Sequence, residues 1–176
     1  LLASTYVGGN DDDGLNSTAD LRYNYADDFR GEITLDVNEE VWVASSTNST
    51  NFPTQNPSQK DLKGFLDGCI FHLDTGLSQM RWGTYFGGKS NDALYSIELD
   101  KKQNVFVSGG TKSDSLDVDT IYQQKRGGDV DGIIAKFDKN NKLVASTYWG
   151  GQKYDQIYFL SIDSKDRVYF AGQTES

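Results

Sequence analysis

Carboxylates dominate the side chains of this 176-residue chain that could do chemistry: 26 Asp and Glu stand against 17 Lys and Arg and one histidine. The densest group is Asn10-Asp11-Asp12-Asp13-Gly14. Asp11, Asp12 and Asp13 concentrate the oxygens that a hard cation such as calcium wants. Their spacing does not follow the alternating Asp-x-Asp-x-Asp-Gly loop, and no Glu follows at the distance of a bidentate ligand. The competing reading is a solvated acidic loop. The remaining candidate acids recur. Asp28, Asp92 and Asp155 form one set, Asp36, Asp100 and Asp163 a second, and Asp67 and Asp131 a third. A catalytic acid is needed once, whereas an Asp that accepts backbone N–H groups in a turn is needed at every copy of that turn. These sets therefore read as structural, with no catalytic residue and no further metal site among them.

His72 is the single histidine, and the position aligned with it in the next copy is Lys136, so neither base catalysis nor metal ligation is expected there. Cys69, the single cysteine, aligns with Ile133 and reads as a small core hydrophobe. One cysteine excludes an internal disulfide and Cys-rich zinc or iron–sulfur centres. The glycine pairs Gly8-Gly9, Gly87-Gly88 and Gly150-Gly151 precede strand-like segments and no Gly-Lys-Ser/Thr follows, so they do not cradle a nucleotide phosphate. A formal net charge of −9 disfavours nucleic acid and docking on anionic lipid. No apolar run is long enough to insert in a membrane as a helix, and no signal peptide is visible.

The recurrences define the elements that must position these groups. The hairpin aspartates lie 64 and 63 residues apart, and Thr-Tyr-x-Gly-Gly occurs around Tyr6, Tyr85 and Tyr148, ending at Gly9, Gly88 and Gly151. Each repeat of about 63 residues holds four strand-like segments, in the middle copy near 94–99, 105–108, 132–137 and 143–149. Tight polar turns join the first two and the last two, and a longer polar connection, carrying Pro53 and Pro57 in the first copy, joins the middle pair. No segment keeps a 3.6-residue apolar period, so almost no helix is expected. The second strands, Val41-Trp42-Val43, Val105-Phe106-Val107 and Val168-Tyr169-Phe170, are apolar on both faces, as strands covered on both sides must be. Four antiparallel strands per unit, each sheet stacked on the next, describe an all-β chain of β-propeller blades.

The expected division is 1–9 as the outer strand of a preceding blade, 10–27 as an inserted loop, 28–88 and 89–151 as two blades, and 152–176 as the first two strands of a further blade. Under three blades cannot close a ring, so the chain reads as a fragment of a six- to eight-bladed propeller.

The segment Asp131-Gly132-Ile133-Ile134-Ala135-Lys136-Phe137-Asp138, then Ser146-Thr147-Tyr148-Trp149-Gly150-Gly151, then Asp155, Asp163 and Val168 to Thr174, resembles the SBBP family of bacterial β-propeller repeats. Asn51-Phe52-Pro53-Thr54 also matches its Phe-Pro-Thr element, while Leu116-Asp117-Val118 departs from it. The resemblance implies a secreted or cell-surface, outer-membrane-associated bacterial protein, in a family often tied to type nine secretion and gliding motility. The expected function is a non-catalytic scaffold that binds protein or glycan, in adhesion or envelope assembly. A propeller-type polysaccharide hydrolase or lyase, its catalytic groups on other blades, is the alternative. Within the chain, the loop carrying Arg22, Tyr23 and Tyr25 is the candidate binding surface, since aromatic residues on a loop above a rigid scaffold suit sugar stacking or protein contact. Expected partners are other blades of the same polypeptide, envelope proteins and surface glycans.

Overall fold

The computed structural model describes residues 2–23, 25–114, 116 and 122–176, and the side chains of Tyr25 and Ala26 lie outside that description. The expectations attached to the Tyr25 side chain and to Asp117 and Val118 therefore fall outside the described residues. Ten strands form, with no α-helix among the described residues: β1 (Glu32–Leu35), β2 (Val41–Thr47), β3 (Asp67–Leu73), β4 (Met80–Phe86), β5 (Asp92–Leu99), β6 (Val105–Thr111), β7 (Asp131–Phe137), β8 (Leu143–Trp149), β9 (Asp155–Ile162) and β10 (Val168–Thr174). They make antiparallel sheets in the orders β1-β2-β3-β4, β5-β6-β7-β8 and β10-β9. No helix is long and apolar enough to cross a membrane.

The hairpin aspartates act as expected. Asp36, Asp100 and Asp163 each open a turn whose fourth residue (Glu39, Gln103, Asp166) has φ near +60° and bonds back to the Asp carbonyl. One carboxylate oxygen of each Asp accepts the backbone N–H groups two and four residues on, at 2.8 and 3.0 Å in the first copy. This is a type I turn with a left-handed residue, the usual solution for a three-residue hairpin loop. Asp67 and Asp131 lock the opposite ends. Each takes two backbone N–H groups from the preceding loop (Lys63 and Gly64; Gly127 and Gly128) and an amide N–H from Gln59 or Gln123.

The sheets stack through alternating apolar faces. Trp42, Ala44, Ile70, Trp82 and Phe86 of the first sheet meet Leu94, Ile97, Val105, Val107, Ile133 and Phe137 of the second. Side-chain to backbone bonds set the register between neighbouring inner strands: Glu32 accepts the Ile97 N–H at 2.8 Å, and Ser96 accepts the Leu160 N–H at 2.9 Å. Strand β5 thus lies against β1, and β9 against β5.

The three tyrosines of Thr-Tyr-x-Gly-Gly do not share one environment. Tyr85 and Tyr148 are buried and pin the connection between strands two and three. Tyr85 accepts the Phe52 N–H at 2.8 Å and donates to the Ser49 carbonyl at 2.7 Å, and Tyr148 donates to the Ser113 carbonyl at 2.8 Å. Tyr6 is fully exposed, and the expected outer strand over 1–9 does not form. Residues 2–9 pair with no strand: they run beside Leu73 and Met80 of β3 and β4, and Val7 packs against Phe52, Cys69 and Tyr85. Tyr85→Phe should therefore cost about 1–2 kcal/mol, since a buried N–H and a carbonyl both lose their partner. Tyr6→Phe should leave the urea midpoint where it is.

Candidate functional site

The inserted segment is displaced from its expected place. Gly9 donates to Asp13 at 2.6 Å, as Gly88 does to Asp92 and Gly151 to Asp155, both at 2.7 Å. Thr47 and Ser49 bond to Asp13 as Thr111 and Ser113 bond to Asp92. Asp13, not Asp28, is thus the counterpart of Asp92 and Asp155. Asp28 carries instead an exposed ion pair with Arg22 at 3.2 Å. The extra residues lie between Asp13 and Glu32, inside the inner strand: Asp13 pairs with Thr47, the chain leaves, and pairing resumes at Glu32 opposite Ala44.

The insertion is not a free loop. Its first 3₁₀ turn (Ala19–Leu21) places Leu21 at zero exposure among Leu66, Ala93, Tyr95, Val130 and Tyr158. The Leu21 carbonyl accepts from Asn16, from the Tyr95 hydroxyl of β5 and from the Gln156 amide of β9, at 3.1, 3.2 and 3.1 Å. Asp27 is buried, bonded to Arg30 at 3.0 Å, whose guanidinium lies 4.0 Å above the Tyr158 ring. Of the candidate binding residues, Arg22 is turned to Asp28. Tyr23 donates to Glu175 at 2.5 Å, its ring 5.1 Å from that of Tyr154. Both are committed to contacts inside the chain. The insertion packs onto the second and third sheets through Leu21, while Arg22 and Tyr23 stay exposed at its surface.

Asp11, Asp12 and Asp13 do not converge as calcium ligands would: the Asp13 oxygens already accept from Gly9, Thr47 and Ser49, and Asp11 caps the N–H of Asp12. The side chains that do converge among the described residues are Asp36, expected as a turn acid, His72, expected to ligate no metal, and Glu40, which the sequence does not single out. Asp36, Glu40 and His72 bring one ligand atom each within 4.8 Å of one another. His72 Nε2 is buried and lies 2.9 Å from a Glu40 carboxylate oxygen and 3.8 Å from one of Asp36. The imidazole stacks on Trp42 with ring centres 4.0 Å apart. Burial holds the His72 pKa below its ordinary value, although both carboxylates push the other way.

Burial also acts on the repeated acids. It pushes the Asp92 carboxyl up to about 7, against the hydrogen bonds of Thr111, Gly88 and Ser113. At Asp155 burial raises too, but Thr174, Gly151 and Ser176 together carry the carboxyl below its usual value. A raised folded value means that the native state holds a proton the unfolded chain has released. Stability then falls as pH climbs from about 4 to about 7. Relative to Asp92→Asn, the wild-type chain should lose on the order of 2 kcal/mol between pH 5 and pH 7.5 in urea titrations, a loss absent from the variant.

A cleft of about 400 Å³ opens between β8 and the β9–β10 hairpin, lined by Tyr122, Gln123, Trp149, Gln156, Phe170 and Gln173. Trp149 stacks on Tyr122 at 4.8 Å and meets Phe170 edge-on at 4.9 Å. The corresponding place between the first two sheets is lined by Ser58, Gln59, Phe86, Leu116, Phe137 and Leu143 and is only about 70 Å³. There Phe137 fills the joint, 6.0 Å from Phe86. The cleft is an interface of the same design whose opposite wall has two strands instead of four. No protein-family model and no curated protein matches the chain.

Proposed function

We propose that the chain is a non-catalytic β-propeller-type scaffold, part of a secreted or surface-exposed bacterial protein, working by protein contact in adhesion or envelope-complex assembly. The observation that supports this reading is the stacking of repeated antiparallel sheets through apolar faces, with the corner acids Asp13, Asp92 and Asp155 each engaged as hydrogen-bond acceptors. Trp149, Phe159, Tyr169 and Phe170 stay exposed along the open side, an apolar surface of the kind that marks a contact site. Its natural complement is β-sheet carrying counterparts of Phe137 and Leu143, as further blades of an SBBP-like propeller would. The repeated acids support a scaffold as well: each is occupied as an acceptor in a turn or corner. Glycan binding is a second reading, favoured by the Tyr122–Trp149 stack beside the amides of Gln123, Gln156 and Gln173.

Trp149 fluorescence reads the cleft directly, because Trp42 and Trp82 are buried. A peptide spanning 131–148, which lacks tryptophan, should shift that emission, and Trp149→Ser should abolish the response. A shift with oligosaccharides alone would establish the glycan reading. Release of reducing ends from polysaccharide, lost on substituting one non-repeated acid, would replace the scaffold by the hydrolase or lyase.

A further inference from the structure

The repeats solve one electrostatic problem in three ways. The second oxygen of each hairpin aspartate faces the side chain four residues on. In the second copy that residue is Asn104, which donates to Asp100 at 2.6 Å, and Lys136 supplies positive charge nearby. In the third it is Arg167, whose Nε donates to Asp163 at 2.7 Å. In the first it is Glu40, a second acceptor, and the position of Lys136 is held by His72. Two carboxylates and a buried imidazole nitrogen thus meet where the sister copies place a donor and a cation. Arg81 reaches only the outer edge, with its Nε 3.4 Å from Glu40 and its side chain half exposed. Like charges brought together in a partly buried place need a compensating cation.

We propose that Asp36, Glu40 and His72 form a binding site for a divalent first-row transition metal ion of the zinc class, which ties the β1–β2 hairpin to β3. The donor set is one imidazole nitrogen and two carboxylate oxygens, suited to zinc and poor for calcium, which wants oxygen alone and more of it. Ligand atoms around a tetrahedral zinc stand about 3.3 Å apart, from bond lengths near 2.0 Å. The spacings of 2.9 and 3.8 Å, with all three atoms inside 4.8 Å, bracket that value. The outer contacts of a ligand set are present as well. The other Asp36 oxygen is held by the N–H groups of Asn38 and Glu40, and the Trp42 indole N–H points at the ligating one at 3.4 Å. Trp42 covers one face of the imidazole, and the ring row Trp42–His72–Trp82 runs across β2, β3 and β4.

The chain, stripped with chelator, should bind one Zn²⁺ and not Ca²⁺ in calorimetric titration, and Co²⁺ at the site should quench the stacked Trp42. Glu40→Asn and His72→Lys, which install the second copy's residues, should fold and weaken zinc binding by ~10-fold or more. Without metal, Glu40→Asn should melt above the stripped wild type, because it removes the facing carboxylates. Zinc should raise the melting temperature of the wild type only. Zinc affinity equal in wild type and Glu40→Asn, or no zinc uptake by the wild type, overturns the site.

Discussion

Gly109→Ala should destabilise the chain by about 3 kcal/mol, an overpacking cost that no rotamer change can relieve. A Cβ on Gly109 would stand inside the carbonyl oxygen of Ala93, on the strand hydrogen-bonded to it. The approach is this close because β5 is bulged: Leu94 pairs with Gly109 and Ser96 with Ser108, leaving Tyr95 unpaired. Gly172 meets Gln156 in the same way, opposite the bulge that frees Tyr158. The first copy supplies the control. Its corresponding residue is Ser45, allowed because the inner strand leaves at Asp13 and no bulged backbone lies over it. Ser45→Gly should change stability by less than ~1 kcal/mol. Urea midpoints of the two variants measure the contrast, and an unperturbed Gly109→Ala would mean that β5 is not bulged.

That contrast also shows what could be read in the residues alone. The strands, their turns and the order of the sheets follow from the spacing of Asp36, Asp100 and Asp163 and from second strands apolar on both faces, because a turn aspartate and a two-sided core strand act through neighbours in sequence. Asp28 stands eight residues before Asp36, as Asp92 and Asp155 do before Asp100 and Asp163, yet that interval does not mark the corner position, which Asp13 occupies. The interval of four from Gly9 to Asp13, equal to Gly88–Asp92 and Gly151–Asp155, was the informative one. Ser45 in place of a glycine was a second clue, since it reports that the inner strand is missing opposite it. Tyr6 matches Tyr85 and Tyr148 in its motif, yet burial of a motif residue depends on the sheet it joins, which local sequence does not carry. The convergence of Asp36 and Glu40 on His72 was hidden for another reason. Their relation is cross-strand, Trp42 lying opposite His72, and a substitution from Asn104 or Arg167 to Glu40 looks like ordinary surface variation until the three turns are compared.

The insertion gives the second large effect. Leu21→Ala should cost roughly 2–5 kcal/mol, the range for emptying a fully buried leucine. The position is special because each bulge aims a tyrosine at the same centre: Tyr95 from β5 and Tyr158 from β9 lie 5.7 Å apart, and Leu21 completes the cluster where the first sheet has no bulge of its own. The Leu21 carbonyl then collects the Tyr95 hydroxyl and the Gln156 amide, so one residue joins the second and third sheets. Loss of the side chain should loosen the turn that presents this carbonyl, and the damage should spread beyond the insertion. Gln156→Ala, which removes a buried side chain and its amide donations to Leu21 and Tyr95, should cost about 1–3 kcal/mol. The two substitutions share one carbonyl and should be non-additive in a double-mutant cycle. Additive effects, or a Leu21→Ala cost below ~1 kcal/mol, would show that the segment does not join the second and third sheets.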